Sequence, residues 1–386
     1  MKPVYVAGVG MTPFGKFADK SLADLGGAAV LAALADAGIS PAEIQVGYAG
    51  HARTGRLHAY ENGVGQLVLW QAGIRDIPIT GVGNYCASGS TAMREAVMAV
   101  LTEMYDVAIA VGVEKLSVRA EKGKPLTSDG MELEGELGFT PPAFFALAAQ
   151  RYMERTGATP TTFAQVAVKN RRHAADNPYA QYRKPITVEE VLASPMVASP
   201  LTRLSCCPTG DGAAAAIVVS ERAAKRLGLD RLVKVRAISL VSGGHRYESM
   251  DSFEIDERAA RGAYEMAGID PADVDLAEVH DAFTSSEVMH YEDLLLCPRG
   301  DGPKMIEEGI TALGGRIPVS TSGGLMSKGH PLGATGLAQV HEVVTQLRGE
   351  AGPRQVEGAR VGMAHCVGGF LDGDAASSSV QLFERT

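Results

Sequence analysis

The sequence predicts an α/β protein whose central strands are covered by helices on both faces. Short apolar runs alternate with helix-like segments of small residues and leucine, and the clearest runs are VYVAGVG, VAIAVGVE, AAAAIVVS, KVRAISLV and RVGMAH. Near-continuous apolar strands are typical of a sheet that is buried on both faces. Glycine is abundant, with 45 of 386 residues, as expected where many strand-to-helix turns are tight.

An internal repeat adds to this prediction. Residues 31–51 and 262–283 each contain a helix ending in Ala-Gly-Ile, then Ser or Asp followed by proline, and finally a strand. Gly38 and Gly268 would close the helices, and the proline three residues later would start the next short helix. The match runs through eight consecutive positions. It indicates that a half-chain unit has been duplicated.

The duplication divides the chain near residue 228, and the first half is then longer than the second. The surplus lies between residues 117 and 205, a stretch rich in proline, aromatic and charged residues. We expect an excursion from one core rather than a separately folding unit. The expected parts are an N-terminal half at 1–117 and 206–228, a loop domain inserted at 118–205, and a C-terminal half at 229–386.

Composition excludes several classes of function. The net charge is −9 and no long Lys/Arg run occurs, which argues against nucleic acid or an anionic membrane as the main partner. The five cysteines lack C-x-x-C spacing, so neither a metal site nor a disulfide framework is expected, and a reducing cytoplasm fits best. No apolar run approaches the roughly 18 residues needed to span a bilayer. GVGMTP lacks the third glycine of a dinucleotide fingerprint, which disfavours NAD.

Cys86 lies in GVGNYCASGSTAMREAVMAV, between a strand-like run and a helix of small residues. A helix N-terminus stabilises a thiolate through its free N–H groups and the positive end of its dipole. Small residues at Ala87, Ser88 and Gly89 would also let a bulky acyl thioester approach the sulfur. The pattern favours a nucleophile, and a buried structural thiol is the alternative.

Two histidines stand in settings that suit proton transfer. His330 lies in GHPLGATG, where Gly329 and Pro331 would fix its ring on a rigid turn, as a positioned base requires. His280 ends the apolar run of LAEVHDAF and meets Asp281 at the C-terminal end of a strand, where α/β sheets place site residues. The alternatives are a structural histidine in the first case and an Asp-His helix cap in the second.

Cys366, in MAHCVGG, also follows a strand-like run. The Val-Gly-Gly run after it offers unhindered backbone N–H groups that could hold an oxyanion. Core packing is the alternative for this cysteine, and His365 on the opposite face of the strand is not counted as catalytic. Together the residues suit a ping-pong acyl transfer, in which Cys86 takes the acyl group, His330 accepts its proton and Cys366 moves the α-carbon proton of the second thioester.

In NYCASGS, HDAF, GHPLGATG and HCVGG, and in their order, the chain resembles the thiolase superfamily over essentially its whole length. DNPYAQYRKP and CCPTGDGAAAAIV strengthen the resemblance. HDAF stands where typical degradative and biosynthetic thiolases have NEAF. The chain is therefore most similar to the branch with archaeal acetyl-CoA acetyltransferases and sterol-carrier-protein-type thiolases.

This resemblance implies two βαβαβαββ halves packed as a five-layered αβαβα core, with the loop domain over the active site, and a homodimer or homotetramer. It implies that Cys86 is the acylated nucleophile, that His330 activates it, and that Cys366 is the acid/base of the carbon–carbon step. His280 would help to hold the thioester oxygen, together with a water. The N–H groups of Cys86 and Gly368 would form a second oxyanion hole.

Two departures from the family pattern matter. Sterol-carrier-type relatives can carry a cysteine within the HDAF-like motif, but here Ala282 stands there, so Cys366 must do that work. The GTGP-like pantetheine loop of biosynthetic thiolases is absent, and RYESMDSFEID occupies the region. Basic side chains in the excursion are candidates for the CoA phosphates, with a solvated charged loop as the alternative. These candidates are Arg171, Arg172, Arg183 and Lys184.

The sequence thus predicts a CoA-dependent acyltransferase that condenses acyl-CoA molecules or cleaves a 3-ketoacyl-CoA through an acyl-Cys86 intermediate. CoA and acyl-CoA are substrates in this prediction, with no permanently bound cofactor. One alternative is a thiolase-like synthase subunit that is active only with a small accessory subunit. Another is a non-catalytic acyl-CoA-binding scaffold.

Overall fold

The computed structural model describes residues 2–54, 62–117, 140–244, 250–371 and 374–386. The first half alternates strands and helices, as the sequence predicts. Its elements up to the inserted segment are β1 (Val4–Met11), α1 (Leu22–Ala37), β2 (Val46–Gly50), α2 (Val64–Gln71), β3 (Ile79–Val82), α3 (Ser88–Leu101) and β4 (Val107–Lys115).

The inserted segment is described from residue 140 onward, and residues 118–139 of the expected loop domain lie outside the described residues. Its elements are α4 (Pro141–Thr156), α5 (Pro160–Ala174), α6 (Val188–Ala193) and the short antiparallel pair β5 (Met196–Ala198) and β6 (Leu201–Thr202). Helix α4 brings Phe144 and Phe145 into the same apolar core as Phe253 and Phe283 of the second half. The segment therefore shares its core with the rest of the molecule.

The remaining elements return the chain to the first half and then repeat its pattern. They are β7 (Asp211–Ser220), α7 (Glu221–Leu227), β8 (Val233–Ser242), α8 (Glu254–Ala267), β9 (Leu276–Glu278), α9 (Thr284–Asp293), α10 (Gly302–Glu307), α11 (Gly324–Ser327), α12 (Thr335–Leu347), β10 (Val361–Leu371) and β11 (Asp374–Arg385).

Nine of the eleven strands in the described part of the chain form one sheet, in the order β3-β2-β4-β7-β1-β8-β11-β10-β9. The two halves join through β1 and β8, which are paired only at Tyr5 with Lys234 and Val6 with Val233. On either side of this seam the pattern is the same, because β2 and β4 are parallel as β9 and β10 are, and β7 reverses as β11 does. A parallel bridge between Ala277 and Val319 occupies the place of β3.

Alternation along the strands places helices on both faces. In β7, Ile217 and Val219 pack into the core that contains α1 and α2, whereas Ala216 and Val218 face the core that contains α3 and α12. The central helices α3 and α12 lie against each other between the two half-sheets. Helix α8 covers the outer face of the second half. The expected five layers are therefore present, and Cys86 and His330 sit just before the two central helices.

The repeated punctuation also has the expected conformation. Gly38 and Gly268 end α1 and α8 with φ values of +68° and +66°, a left-handed conformation that glycine adopts without steric cost. Short 3₁₀ helices follow at Pro41–Glu43 and Pro271–Asp273, before β2 and β9. Among the described residues, no helix combines the length and apolar character required to cross a bilayer.

Candidate active site

The structure brings all four reactive residues of the sequence analysis together. The Sγ atom of Cys86 and one ring nitrogen each of His280 and His330 lie within 4.8 Å of one another. The two imidazole rings are 5.2 Å apart between centroids. The thiol of Cys366 donates to the backbone carbonyl of Cys86 at 3.2 Å, so the second sulfur lies beside the first residue.

A tight turn between β3 and α3 presents Cys86. The Ser88 hydroxyl accepts from the N–H of Asn84 at 2.9 Å and donates to the carbonyl of Tyr85 at 2.6 Å, which closes the turn on both sides. Tyr85 has a φ of +49°, a left-handed conformation that residues with a side chain rarely adopt. Serine at position 88 therefore shapes the backbone that carries the thiol.

The small residues of the two motifs serve helix packing. A Cβ on Gly89 would lie 2.7 Å from the carbonyl oxygen of Gly333, and one on Gly336 would lie 2.1 Å from the Ser90 Oγ. The N-termini of α3 and α12 meet at these glycines, and side chains there would force them apart. The expectation that Gly89 leaves room for a thioester is therefore wrong, since α12 fills that space.

The Cys86 thiol is half-buried, and its electrostatic setting differs from the expected one. Burial raises the pKa of Cys86 to about 12, and the Glu114 carboxylate adds to the increase, while the Gly369 N–H and Arg53 oppose it. The expected lowering of the pKa by the helix N-terminus is outweighed, because desolvation disfavours the thiolate more than these groups favour it. The resting form is a neutral thiol, and its proton must move for the sulfur to react.

His330 is held as a neutral imidazole with a defined tautomer. Burial lowers the pKa of this histidine to about 3. Its Nδ1 lies 2.8 Å from the Thr335 Oγ1, and that hydroxyl donates to the Pro331 carbonyl at 3.1 Å. Because the hydroxyl hydrogen is already used, the ring Nδ1–H must donate to Oγ1. The Nε2 lone pair is then the acceptor of the ring, as a base for Cys86 needs.

His280 is buried, and its Nε2 has no hydrogen-bond partner within the described parts of the chain. Burial lowers the pKa of this ring well below the usual value, and the neighbouring histidine rings lower it further. A neutral imidazole with an unused polar atom, next to Cys86, is suited to bind a ligand oxygen. The thiol and two imidazoles are also donor types that zinc accepts.

Asp281 of the HDAF motif fixes the loop that leads to His330. Its carboxylate accepts from the N–H of Leu325 at 2.7 Å, the N–H of Met326 at 3.3 Å and the amide of Asn170 at 2.7 Å. Burial and the Glu287 charge raise the pKa of Asp281 well above its usual range. The carboxyl therefore binds the first turn of α11, and it does not cap the helix that follows HDAF.

Two buried acids that the sequence analysis missed also hold loops around the site in place. Glu114, at the end of β4, accepts from the N–H groups of Ala52 at 2.9 Å and Gly333 at 2.9 Å, and so ties the GATG turn to the first half. Glu278, at the end of β9, accepts from the N–H of Ser322 at 2.9 Å and pairs with Lys328 at 3.3 Å. A signal was present in both cases, because Glu114 ends the apolar run VAIAVGVE and Glu278 interrupts the apolar run that His280 ends.

Cys366 is completely buried in β10, and burial together with the Cys86 thiol raises its pKa well above the usual value. The following glycines lie against the turn that carries Cys86. A Cβ on Gly368 would lie 2.2 Å from the carbonyl oxygen of Asn84, and Gly369 has a φ of +60°. The backbone N–H groups of Gly369 and of Cys86 itself both act to lower the pKa of the Cys86 thiol. The role of Gly368 in an oxyanion hole stays a prediction.

The basic candidates for CoA phosphates lie on one surface of the inserted segment. Arg171 stacks over the Tyr182 ring at 4.6 Å, and Arg183 donates to a carbonyl at the end of α5 at 3.1 Å. The Tyr182 N–H donates to the Ser327 carbonyl at 3.0 Å, so this surface adjoins the loop that carries His330. The other two candidates, both exposed, are Arg172 and Lys184.

Comparison with known proteins agrees with the motifs. The family model "Thiolase, N-terminal domain" matches residues 4–222, and "Thiolase C-terminal domain-like" matches residues 245–380. The acetyl-CoA acetyltransferase of Methanothermobacter thermautotrophicus is 41% identical, with full coverage of both chains. Benzoylsuccinyl-CoA thiolase subunit BbsB of Thauera aromatica is 40% identical over 95% of each chain. Sterol carrier protein 2 of Bos taurus is 38% identical over 95% of this chain and 70% of its own.

Solved structures share the whole fold. The Ltp2-ChsH2(DUF35) aldolase superposes with a TM-score of 0.83 and 27% identity, and the match covers 100% of this chain and 98% of that one. Human mitochondrial 3-ketoacyl-CoA thiolase in complex with CoA superposes with a TM-score of 0.76 and 20% identity, again covering 100% and 98%. At that identity the likeness concerns the fold alone. On both family domains and on its full-length relatives, the chain belongs to the thiolase family.

Proposed function

We propose that this chain, a CoA-dependent acyltransferase, works through an acyl-Cys86 intermediate in a ping-pong cycle. The observation that carries the proposal is the meeting of two thiol residues and two neutral imidazoles at one point between the halves. In the first half-reaction the Cys86 sulfur attacks the thioester carbon while its proton passes to His330 Nε2. The CoA thiolate then leaves and takes up that proton, which returns the imidazole to its neutral form.

Cys366 is the proposed acid/base of the second half-reaction. In condensation Cys366 first passes its own proton to His330 Nε2, and its thiolate then removes a proton from the α-carbon of a second acyl-CoA. The carbanion attacks the acyl carbon, the C–S bond to Cys86 breaks, and the released Cys86 sulfur takes up the proton held by His330. In thiolysis the same steps run in reverse, and the Cys366 thiol returns the proton to the departing enolate. His280 Nε2, buried and without a partner among the described residues, is proposed to hold the thioester oxygen in this step. The Cys86 and Gly368 N–H groups are proposed to hold the oxygen on the acyl carbon.

The inserted segment is proposed to wall the acyl pocket. Phe144 of α4 contacts Phe370 at 4.3 Å between ring centroids, and Phe145 stacks on Phe283 at 4.3 Å. Phe370 directly follows the Gly368–Gly369 pair, and Phe283 belongs to the HDAF motif, so these rings connect the segment to both parts of the site. A loop domain at 118–205 between the expected halves, with CoA phosphates at its basic surface, is part of the same proposal.

The test is a turnover assay on the purified chain alone. We expect acetoacetyl-CoA and CoA to give acetyl-CoA, detected by mass spectrometry, with other 3-ketoacyl-CoA esters as further substrates. Substitution Cys86→Ser is expected to abolish the product and the acyl-enzyme together. Binding of acyl-CoA without turnover by the pure chain, even with added protein partners, would favour the scaffold reading instead.

A partner-dependent synthase or lyase is the second candidate, and two relatives favour it. One solved neighbour is an aldolase with two named components, Ltp2 and ChsH2(DUF35), and one curated relative is a thiolase subunit, BbsB. Activity that appears only when a small accessory protein is added to the pure chain would support this candidate. Activity of the pure chain alone would exclude the need for a partner.

A cytoplasmic homodimer or homotetramer is the proposed assembly. Strand β3 is an edge of the sheet, and its central residues Thr80 and Gly81 are exposed. An exposed edge strand offers unpaired backbone groups to a second copy. Light scattering coupled to size-exclusion chromatography should therefore give a mass of two or four chains, and a monomer mass would contradict this proposal.

A further inference from the structure

A second group of polar side chains lies behind the candidate active site and is not used in the proposed cycle. Asp256 of α8, His290 of α9 and His365 of β10 are buried, with relative exposures of 0%, 1% and 0%. The Asp256 carboxylate pairs with both rings, Oδ2 with His290 Nδ1 at 3.1 Å and Oδ1 with His365 Nε2 at 3.1 Å. We call these three residues the DHH cluster.

The two histidines of the DHH cluster form hydrogen bonds with the backbone N–H and C=O groups of one residue, His280. The His280 backbone N–H donates to His365 Nδ1 at 3.4 Å, and the His280 carbonyl faces His290 Nε2 at 3.2 Å. Both backbone groups of the residue are thus bound by imidazoles that a single carboxylate orients. The side chain of the same residue points to Cys86 and His330.

Hydrogen-bonding rules fix where the protons of the cluster reside. His365 Nδ1 accepts from an N–H, so the ring hydrogen is on Nε2, which lies 3.1 Å from Asp256 Oδ1. The His280 carbonyl can only accept, so His290 Nε2 carries a hydrogen. Its Nδ1 lies 3.1 Å from the other oxygen of Asp256. Asp256 and the two rings therefore form one compact polar group, in which each ring has a nitrogen 3.1 Å from a carboxylate oxygen.

This assignment argues against a metal ion as the reason for the cluster. An aspartate with two histidines is a common ligand set, and the donor atoms lie within 4.8 Å of one another. A metal would need the lone pair of His365 Nε2. That nitrogen carries the hydrogen whenever Nδ1 accepts from the His280 N–H, so the observed hydrogen bond and metal coordination at Nε2 exclude each other.

We propose that His290 and His365, oriented by Asp256, are positioning residues that hold the His280 backbone and thereby aim its imidazole at the thioester oxygen of the carbon–carbon step. The inference rests on the proposed function, since it assigns a purpose to the placement of His280. The His280 backbone needs such partners because strand β9 ends at Glu278, so the hydrogen bonds of the sheet do not continue to His280. The DHH cluster replaces those missing backbone partners, and the Ser286 hydroxyl also donates to the His280 carbonyl at 3.3 Å.

Matched amide substitutions separate this role from a general structural one. An asparagine amide reaches the place of a histidine Nδ1, and a glutamine amide reaches the place of Nε2. His365→Asn therefore keeps an acceptor for the His280 N–H, whereas His365→Gln keeps only the contact with Asp256. At His290 the order is reversed, because His290→Gln keeps a donor to the His280 carbonyl and His290→Asn keeps only the Asp256 contact. All four variants remain polar, which limits the cost of burial.

The measurement is the kcat and KM of thiolysis, with the rate of Cys86 acylation followed separately in a single turnover. We expect His365→Gln and His290→Asn to lower kcat about 10- to 100-fold, the usual range for residues that orient a reactive group, with KM within about twofold. His365→Asn and His290→Gln should stay within about threefold of the parent. Acylation of Cys86 should be nearly unchanged in all four variants.

Three outcomes would overturn the inference. Equal losses within each matched pair, or losses that follow the melting temperature, would reduce the cluster to a structural role. Parallel losses of acylation and of the carbon–carbon step would mean that His280 is not the group affected. About one equivalent of tightly bound metal in the parent, lost in His365→Asn, would make the cluster a metal site. An active Cys86→Ser variant would instead refute the proposed function, independently of these four variants.

Discussion

The two halves of the molecule share a fold and differ in what they place on it. In each half a glycine closes the first helix and a strand follows, so that Gly50 in the first half corresponds to His280 in the second, each lying 12 positions beyond the closing glycine. A Cβ on Gly50 would lie 2.5 Å from the Ser88 carbonyl oxygen, so no side chain fits there. Duplication therefore accounts for the shared fold, and different residues at equivalent positions account for the reactive groups.

The central helices show the same division. Cys86 precedes α3 of the first half, and His330 precedes α12 of the second half. The glycine contact between these helices brings the thiol and the imidazole together. A reactive pair is thus split between the halves, and neither half contains it alone.

The largest expected effect follows from removing the thiol of Cys86, which the first half contributes to the proposed reaction. Cys86→Ser should lower the thiolysis kcat by about 10⁴-fold or more, because a serine hydroxyl is a far weaker nucleophile than the thiol it replaces. Steady-state assays with acetoacetyl-CoA and CoA measure this loss. Cys297→Ser, at a half-buried cysteine that no role is assigned to, is the matched control and should keep full activity.

Making the halves alike is the next test. His280→Gly places in the second half the residue that the first half has, and it should lower kcat about 10²- to 10³-fold, the loss typical of one oxyanion donor. Circular dichroism should show an unchanged fold. A kcat close to that of the parent would mean that the divergence at this position does not serve the reaction.

The helix contact between the halves can be tested through stability. Gly336→Ala places a Cβ against Ser90 and should lower the free energy of unfolding by about 1–3 kcal/mol, the cost of overpacking. Gly262→Ala in α8 is the control, because its Cβ would meet only the Ser239 Oγ at 3.1 Å, and it should be neutral or stabilising. Thermal unfolding of both variants gives the comparison, and equal stabilities would contradict close packing at Gly336.

A pH experiment tests the neutral state of the reactive pair. Because burial holds the pKa of Cys86 at about 12, the thiolate fraction should rise about tenfold per pH unit throughout the range below that value. His330, with a pKa of about 3, stays neutral over the same range. The rate of Cys86 alkylation by iodoacetamide, followed by peptide mass spectrometry, should therefore increase from pH 6 to pH 10. A plateau already at neutral pH would indicate a thiolate–imidazolium pair instead.

The smallest expected effect concerns the basic surface of the inserted segment. Neutralising Arg183 and Lys184 together should raise the KM for CoA about three- to tenfold and weaken its dependence on salt, as expected when partly exposed charges meet phosphates. The control is Arg151→Gln, at an exposed arginine on α4, which should leave the KM for CoA unchanged. Equal salt dependence in the parent and the double variant would remove this surface as a CoA site.

The sequence predicts those parts of the site that local rules determine. Apolar runs predict the strands, Gly38 and Gly268 predict the duplication, and glycine and proline around His330 indicate a rigid turn. Other features depend on distant contacts and leave little local trace. The DHH cluster joins α8, α9 and β10, so its aspartate reads as an ordinary helix residue, and the packing of Gly89 against α12 is visible only once the halves are assembled.

The expectation of a lowered pKa for Cys86 is wrong for the same reason. Its place before α3 favours a thiolate locally, but burial by residues from both halves dominates. Local sequence therefore indicates which group reacts, and the assembled core determines its resting protonation state.

The central claim is that residues from the two halves act in sequence on one thioester, and a single-turnover experiment on Cys366→Ala tests it most directly. After mixing with acetyl-CoA, peptide mass spectrometry should find one acetyl group on Cys86, while condensation to acetoacetyl-CoA is absent. An unacylated Cys86, or full condensation activity in this variant, would contradict the account.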